Sequence, residues 1–248
     1  MDWGRITRPL VAMENRWPSG RSTGWHAHPR GQLLYATEGV MVVHSDAGSW
    51  VVPPHRALWM VAGLRHNVTM SGEVLMRTAY IDATAIRRLP AASCVVNVSP
   101  LLRELLVEAV RLPMEGALSA RDRRLLALLV DELRTCDTVP LHLPLPGDER
   151  LRSVCSALME RPDDARSARA WAATIGVGER TLQRLYVQGT GMGFAQWREQ
   201  ARLLAALTAI ARGEKLIAVA LGCGYASHSA FTAMFRRHFG VPPSVFYR

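Results

Sequence analysis

The alternation of apolar and polar positions divides this chain into two stretches of different character. Residues 5 to 82 carry short apolar segments broken by turn residues at even spacing. VMVVHS (40–45), GSWVV (48–52), ALWMVA (57–62) and VLMRTAYI (74–81) are rich in valine, tryptophan and tyrosine and predict strands. Asp46-Ala47-Gly48, Pro53-Pro54, Ala62-Gly63 and Ser71-Gly72 predict the turns between them. Many short strands without a helical period argue for a small β-barrel or double-sheet jelly roll, an ordinary sandwich being the alternative. From Ser99 the period changes. Leu101, Leu102, Leu105, Leu106, Ala109 and Val110 mark a helix ending near Pro113. Leu125, Leu126, Leu128, Leu129, Val130 and Leu133 mark a second helix, begun after Ser119. These stripes either pack on the flank of the strand domain or cover those of a second subunit. LHLPLPGD (141–148) predicts a linker.

Beyond it the helical period persists to the end of the sequence. Leu151, Val154, Cys155 and Leu158 predict a first helix over 150–160, and Ser167 is placed to cap a second containing Trp171 and Ala172. Ile175-Gly176-Val177-Gly178 makes a turn into 179–188, with Leu182, Leu185 and Tyr186 inward and Arg180, Gln183 and Arg184 outward. A longer helix, 194–211, follows, with Trp197, Ala201, Leu204 and Leu207 buried. Ile217, Val219, Ala220 and Leu221 then mark a short helix broken by Gly222 and Gly224. Ser227 caps the last long one, where Ala230, Phe231, Met234, Phe235 and Phe239 form the apolar stripe. His228, Ser229, Thr232, Arg236 and Arg237 lie opposite. Short helix, tight turn and polar-faced helix occur twice, which is the form of a helix-turn-helix, the element that enters a DNA major groove. A plain helical hairpin would share the periodicity.

Charge supports the nucleic-acid reading. The formal net charge of +9 falls as +3 on residues 1–146 and +6 on the shorter 147–248. Lys215 is the single lysine, and arginine suits bidentate contact with phosphate and guanine. Cys94, Cys136, Cys155 and Cys223 are too widely spaced for a zinc finger or a disulfide scaffold. No apolar run reaches membrane-spanning length and the first twenty residues lack the apolar centre of a signal peptide, so a cytoplasmic protein is expected.

The strand region also carries the order Gly20-x5-His26-x-His28-x3-Gln32-x6-Gly39, with His66 later. Histidines at i and i+2 share one side of a strand and can converge on a cavity. Trp25, Tyr35 and Trp59 are near enough in sequence to wall it. This stretch resembles the cupin fold, which holds a metal inside its barrel through histidines and a glutamate. By position the resemblance implies His26, His28 and His66 as ligands, with Gln32 in the glutamate's place and Arg56 where a glycine is usual. A neutral amide there favours hydrogen bonding to an acidic or hydroxylated effector over metal, so no cofactor is firmly expected. A divalent metal at His26, His28 and His66 is the alternative. The effector pocket expected is His26, His28, Gln32, Trp59 and His66.

TLQRLYVQGTGMGFAQWREQARLLAAL and VALGCGYASHSAFTAMFRRHFGVPPSVFYR together closely resemble the AraC/XylS family of bacterial transcription regulators. The family's usual architecture places a cupin-like effector domain ahead of two helix-turn-helix motifs that enter successive major grooves. The resemblance implies base reading by Arg180, Gln183, Arg184, His228, Ser229 and Thr232, and phosphate contact by Arg236 and Arg237. Ala233 stands where several relatives carry arginine. The expected organisation is a sensor barrel over 1–98, a helical hairpin serving dimerisation over 99–140, a linker over 141–149 and a DNA-binding domain over 150–248. The expected function is a promoter-binding regulator, activator or repressor, controlled by a small molecule. It would act as a homodimer, with RNA polymerase as partner if it activates, and without membrane or catalysis. The rivals are a cupin enzyme with a helical appendage and a metal-responsive regulator.

Overall fold

A computed structural model describes residues 8–82 and 89–246; the expected barrel's residues 1–7 and 83–88 lie outside it. Two compact units emerge, Met1–Ser45 with Trp50–His142, and Asp46–Ser49 with Leu143–Arg248.

The first unit holds most of the strands. β1 (Leu10–Trp17), β2 (Gly31–Ala36), β5 (Arg56–Met60), β7 (Val74–Ile81), β8 (Cys94–Asn97) and β9 (Thr138–Val139) make a six-stranded sheet ordered β1-β7-β2-β5-β8-β9. β3 (Val40–Ser45), β4 (Gly48–Val52), β6 (His66–Ser71) and β10 (His142–Pro144) make a four-stranded sheet ordered β10-β4-β3-β6. The four strands predicted from sequence are β3, β4, β5 and β7. Register decides what each face sees. Leu33 pairs with both Trp59 and Ala79, whereas Gln32 pairs with Met60 and Tyr80. Since side chains alternate along a strand, Trp59 and Gln32 point to opposite faces.

The Trp59 face is covered by helices. α1 (Pro100–Ala109) is capped by the Ser99 hydroxyl, and α2 (Ala120–Thr135) by a reciprocal box of Ser119 and Asp122. Leu102, Leu105, Leu106, Leu126, Leu129 and Leu133 form one apolar cluster with Leu33, Tyr35, Trp59 and Ile81. The leucine stripes are thus buried within the subunit; Leu101 and Leu128 remain exposed. The abundance of leucine therefore loses its force as an argument for a dimer. Residues 141–149, expected as a free linker, include β10, with Leu141 and Leu143 buried, because alternate positions there are apolar and fit a sheet edge.

The second unit is helical: α3 (Glu149–Glu160), α4 (Ala168–Thr174), α5 (Glu179–Thr190), α6 (Phe194–Ala211), α7 (Leu216–Gly222), α8 (His228–Phe239) and α9 (Pro243–Phe246). Ser167 and Ser227 cap α4 and α8 as their positions predict. Phe194, Trp197, Leu203, Leu204 and Leu207 bury α6 at the centre. Arg202 of α6 donates to the carbonyls of Pro162 (2.8 Å) and Asp164 (3.1 Å). The same guanidinium lies beneath the turn between α7 and α8, where a Cβ on Gly224 would meet it at 2.8 Å. Glu199, one turn earlier, pairs with Arg237 of α8. The connecting helix thereby holds the segment that leads into α4 on one side and the α7–α8 pair on the other. Among the described residues no helix is long and apolar enough to cross a membrane.

Candidate functional site

Two sites answer to the expected residues, one in each unit. In the helical unit, α4 ends at a turn through Gly176 in the left-handed region (φ 70°), and α5 follows. Its exposed positions include Arg180, Arg184, Val187 and Gln188, spaced i, i+4, i+7 and i+8 along one stripe, with Glu179 and Gly189 exposed at its two ends. Gln183 is not among them. Its Oε1 accepts from the Phe194 amide at 3.2 Å and so caps α6, whose own N-cap, Gly193, has no side chain to do so. Gln183 is corrected from an outward, base-facing residue to a helix cap. Gln188 was missed, although the four-residue step from Arg180 to Arg184 leads directly to it.

The turn before α8 runs through Gly224 (φ 76°). On α8, His228, Ser229, Ala230, Ala233, Arg236 and Arg237 are exposed. Ala230 therefore leaves the apolar stripe, in which Phe231, Met234 and Phe235 are buried and Phe239 packs on Phe235 at 4.6 Å between ring centres. Thr232 is half-buried, and its hydroxyl is out of solvent contact without a hydrogen-bond partner, so it does not project toward a groove as expected. Its i+4 step from His228 fits the outer stripe in sequence. The neighbouring Phe231 and Phe235 turn the helix so that this hydroxyl falls on the inner edge. Arg236 is exposed, whereas the Arg237 guanidinium is engaged by Glu199, whose carboxylate also lies 3.5 Å from His238 Nε2.

In the strand unit, His26, His28 and His66 come together. His26 and His66 form a two-way backbone bridge at 2.9 Å, and their rings stand 4.3 Å apart. The His28 ring lies 5.3 Å from His66 and 5.1 Å from Tyr80. His26 and His28 sit outside the named strands, brought in by a segment from 18 to 30 folded along β6. Each ring places Nδ1 against a backbone carbonyl: Gly24 at 2.9 Å, Arg30 at 2.7 Å and Leu64 at 2.8 Å. Gln32 Oε1 lies 2.9 Å from His28 Nε2, and its amide nitrogen donates to the Thr78 hydroxyl at 3.0 Å. Burial pushes the His66 imidazolium down to about 4, so at pH 7 the ring is neutral. His66 Nε2 is buried and unpartnered. A metal implied by the resemblance is matched by three imidazoles whose nitrogens lie within 4.8 Å of one another and by the orphaned nitrogen of His66. These residues could hold the ion, which would supply a positive centre for an anionic ligand.

Of the residues expected around this cluster, Gln32 is present and Trp59 is not. Trp59 lies in the apolar cluster under α1 and α2, where its indole donates to the Pro90 carbonyl at 2.9 Å. Tyr35 shares that face. Sequence proximity suggested both, and strand alternation excludes both. Trp25 does stand at the rim, exposed, with the Arg65 guanidinium 4.8 Å over its ring. Tyr80 was missed; its place opposite Gln32 follows from register alone.

Comparison with known proteins gives the family. The description "AraC-like ligand binding domain" matches residues 16–138, and "Helix-turn-helix domain" matches 171–248. The HTH-type transcriptional regulator NimR of Escherichia coli K12 is 31% identical over 218 residues, 88% of this chain and 80% of that protein. This chain belongs to the AraC/XylS family. RipA of Corynebacterium glutamicum, another HTH-type transcriptional regulator, is 38% identical over 44% of this chain and 33% of its own length. A solved structure of ToxT from Vibrio cholerae overlaps 97% of this chain and 98% of its own at a TM-score of 0.41 and 11% identity. As an AraC/XylS member the chain is a sequence-specific DNA-binding transcription regulator, with α4–α5 and α7–α8 as its helix-turn-helix pairs.

Proposed function

We propose that this AraC/XylS regulator reads promoter DNA chiefly through α5 and is controlled by a small molecule bound at the histidine cluster of a cupin-like barrel. The observation that carries the DNA half is the stripe of Arg180, Arg184 and Gln188 on α5. It offers two forked cations and an amide, the groups that pair with guanine and adenine edges. On α8 the exposed His228 and Ser229 supply fewer specific partners, and Arg236 is placed for phosphate. The sensing half is supported by the convergence of three histidines and Gln32 beside Tyr80, with Trp25 and Arg65 at the rim. The chain acts by binding rather than by catalysis. A homodimer through α2 would use Leu128 as its exposed apolar contact, and light scattering across concentrations tests it.

The deciding experiment is a footprint and gel-shift series on the promoters beside its own gene, at physiological salt. The expected result is a site preferred over scrambled DNA by about 10³-fold or more. Equal affinity for all sequences would reduce the protein to a non-specific DNA binder.

A further inference from the structure

α5 carries one side chain whose exposure its packing does not explain. Leu182 and Tyr186 are buried in the helical core, the Tyr186 ring 5.2 Å from Phe194 and 5.8 Å from Trp197. Val187, the next residue, turns the other way and is 53% exposed. It stands seven residues after Arg180, which places the two within about 20° of each other around the helix axis. Arg184, three residues before it, belongs to the same stripe. A lone exposed valine is ordinary on a protein surface. Here it sits among the cations that draw this face toward phosphates and base edges.

Valine is a weaker helix former than arginine or glutamine, because its branched Cβ keeps largely one rotamer in a helix. In a contact that stiffness is useful, since little side-chain freedom remains to be lost. The backbone is held as well. The Val187 carbonyl accepts from the Gly191 amide at 2.9 Å, where the helix closes in a left-handed cap (φ 73°). The methyls of Val187 therefore project from a fixed place beside Arg184. The one methyl on the floor of the major groove is the C5-methyl of thymine, and the groups around it are donors and acceptors. A valine set against those groups would strip them of water without replacing the hydrogen bond. Set against the thymine methyl, both surfaces leave water favourably.

We propose that Val187 is a specificity-determining residue that reads the C5-methyl of a thymine. The proposal rests on the reading of α5 as the helix that selects the sequence. Three residues advance a helix by about 4.5 Å. Base pairs succeed one another at about 3.4 Å. The thymine is therefore expected one or two base pairs from the pair that Arg184 reads.

The test replaces the thymines of the footprinted site by deoxyuridine, one at a time, in gel shifts of the full chain. Deoxyuridine keeps the hydrogen-bonding edge and lacks only the methyl. The pair read by Arg184 is located by base-pair substitutions that Arg184→Ala no longer senses. One deoxyuridine within two base pairs of it should weaken wild-type binding about fourfold, the transfer free energy of one buried methyl. Val187→Ala should bind the thymine duplex about as weakly as wild type binds the deoxyuridine duplex, and should be indifferent to the replacement. Val187→Ile should keep the discrimination, and neither variant should melt below wild type. Equal weakening of both duplexes by Val187→Ala overturns the methyl contact, as does a scan with no sensitive thymine. In either case a loss confined to the cognate site in Arg184→Ala leaves α5 standing as the reader. Losses shared by scrambled DNA in both Val187→Ala and Arg184→Ala overturn reading through α5 itself.

Discussion

The two helix-turn-helix pairs share a plan and differ in what they show to solvent. α5 follows a glycine turn and presents Arg180, Arg184 and Gln188 along one stripe. α8 follows a similar turn and presents His228, Ser229, Ala230 and Ala233, with cations only toward its far end. Their turns differ too. At Gly176 an added Cβ would meet nothing within 4 Å, whereas at Gly224 it would strike Arg202 and Asp163 at 2.8 and 3.0 Å. The first turn therefore has open space at its glycine, and its second helix shows arginine and glutamine to solvent. The second turn is clamped onto α6, and the helix after it shows arginine only toward its far end. Such a division suits one pair that selects the sequence and another that fixes the protein's position on the duplex.

The largest effect should come from breaking the clamp. Gly224→Ala combines a left-handed backbone with a steric clash and is expected to destabilise the helical unit by about 3 kcal/mol. Gly176→Ala carries the backbone cost alone, about 1 kcal/mol. Thermal melts of the two variants side by side measure the contrast, and equal losses would remove the claim that the turns differ.

Arg184→Ala comes next. It should weaken the cognate site by about 1–3 kcal/mol and scrambled DNA far less. An equal loss on both duplexes would reassign Arg184 to phosphate. The two glutamines of α5 provide a finer test. Gln183→Ala should lower stability by about 1 kcal/mol through its lost cap, with any loss of DNA affinity shared by every sequence. Gln188→Ala should leave the melt unchanged and cost affinity on the cognate site alone. The reverse pattern would restore Gln183 as a reader.

The smallest expected effect separates the two adjacent arginines of α8. Arg236→Ala should reduce the slope of log affinity against log salt by about one, on any DNA. Arg237→Ala should change that slope less, because its guanidinium already faces Glu199; the exposed pair itself contributes less than about 1 kcal/mol to stability. Binding isotherms over a salt series resolve them.

Much of this protein was determined by local sequence. Helices capped by Ser119, Ser167 and Ser227 begin where those hydroxyls predict, because capping depends on residues three positions away. Strands β3, β4, β5 and β7 follow from apolar runs between turn residues, and the two glycine turns from the need for positive φ. His26 and His28 were visible as a pair because their spacing is a local pattern, and His66 joined them only through the resemblance to the cupin fold. What the tertiary structure decided is which way each side chain faces. Trp59 left the pocket because strand pairing put it on the same face as Leu33 and Ala79, and register is set by distant partners. The leucines of α1 and α2 found their cover on the six-stranded sheet, a choice between surfaces that periodicity does not make. Gln183 turned inward to cap α6 eleven residues away, and the Thr232 hydroxyl fell on the inner edge of α8. His66 meets His26 because the 18–30 segment folds along β6, a pairing that only the folded chain makes.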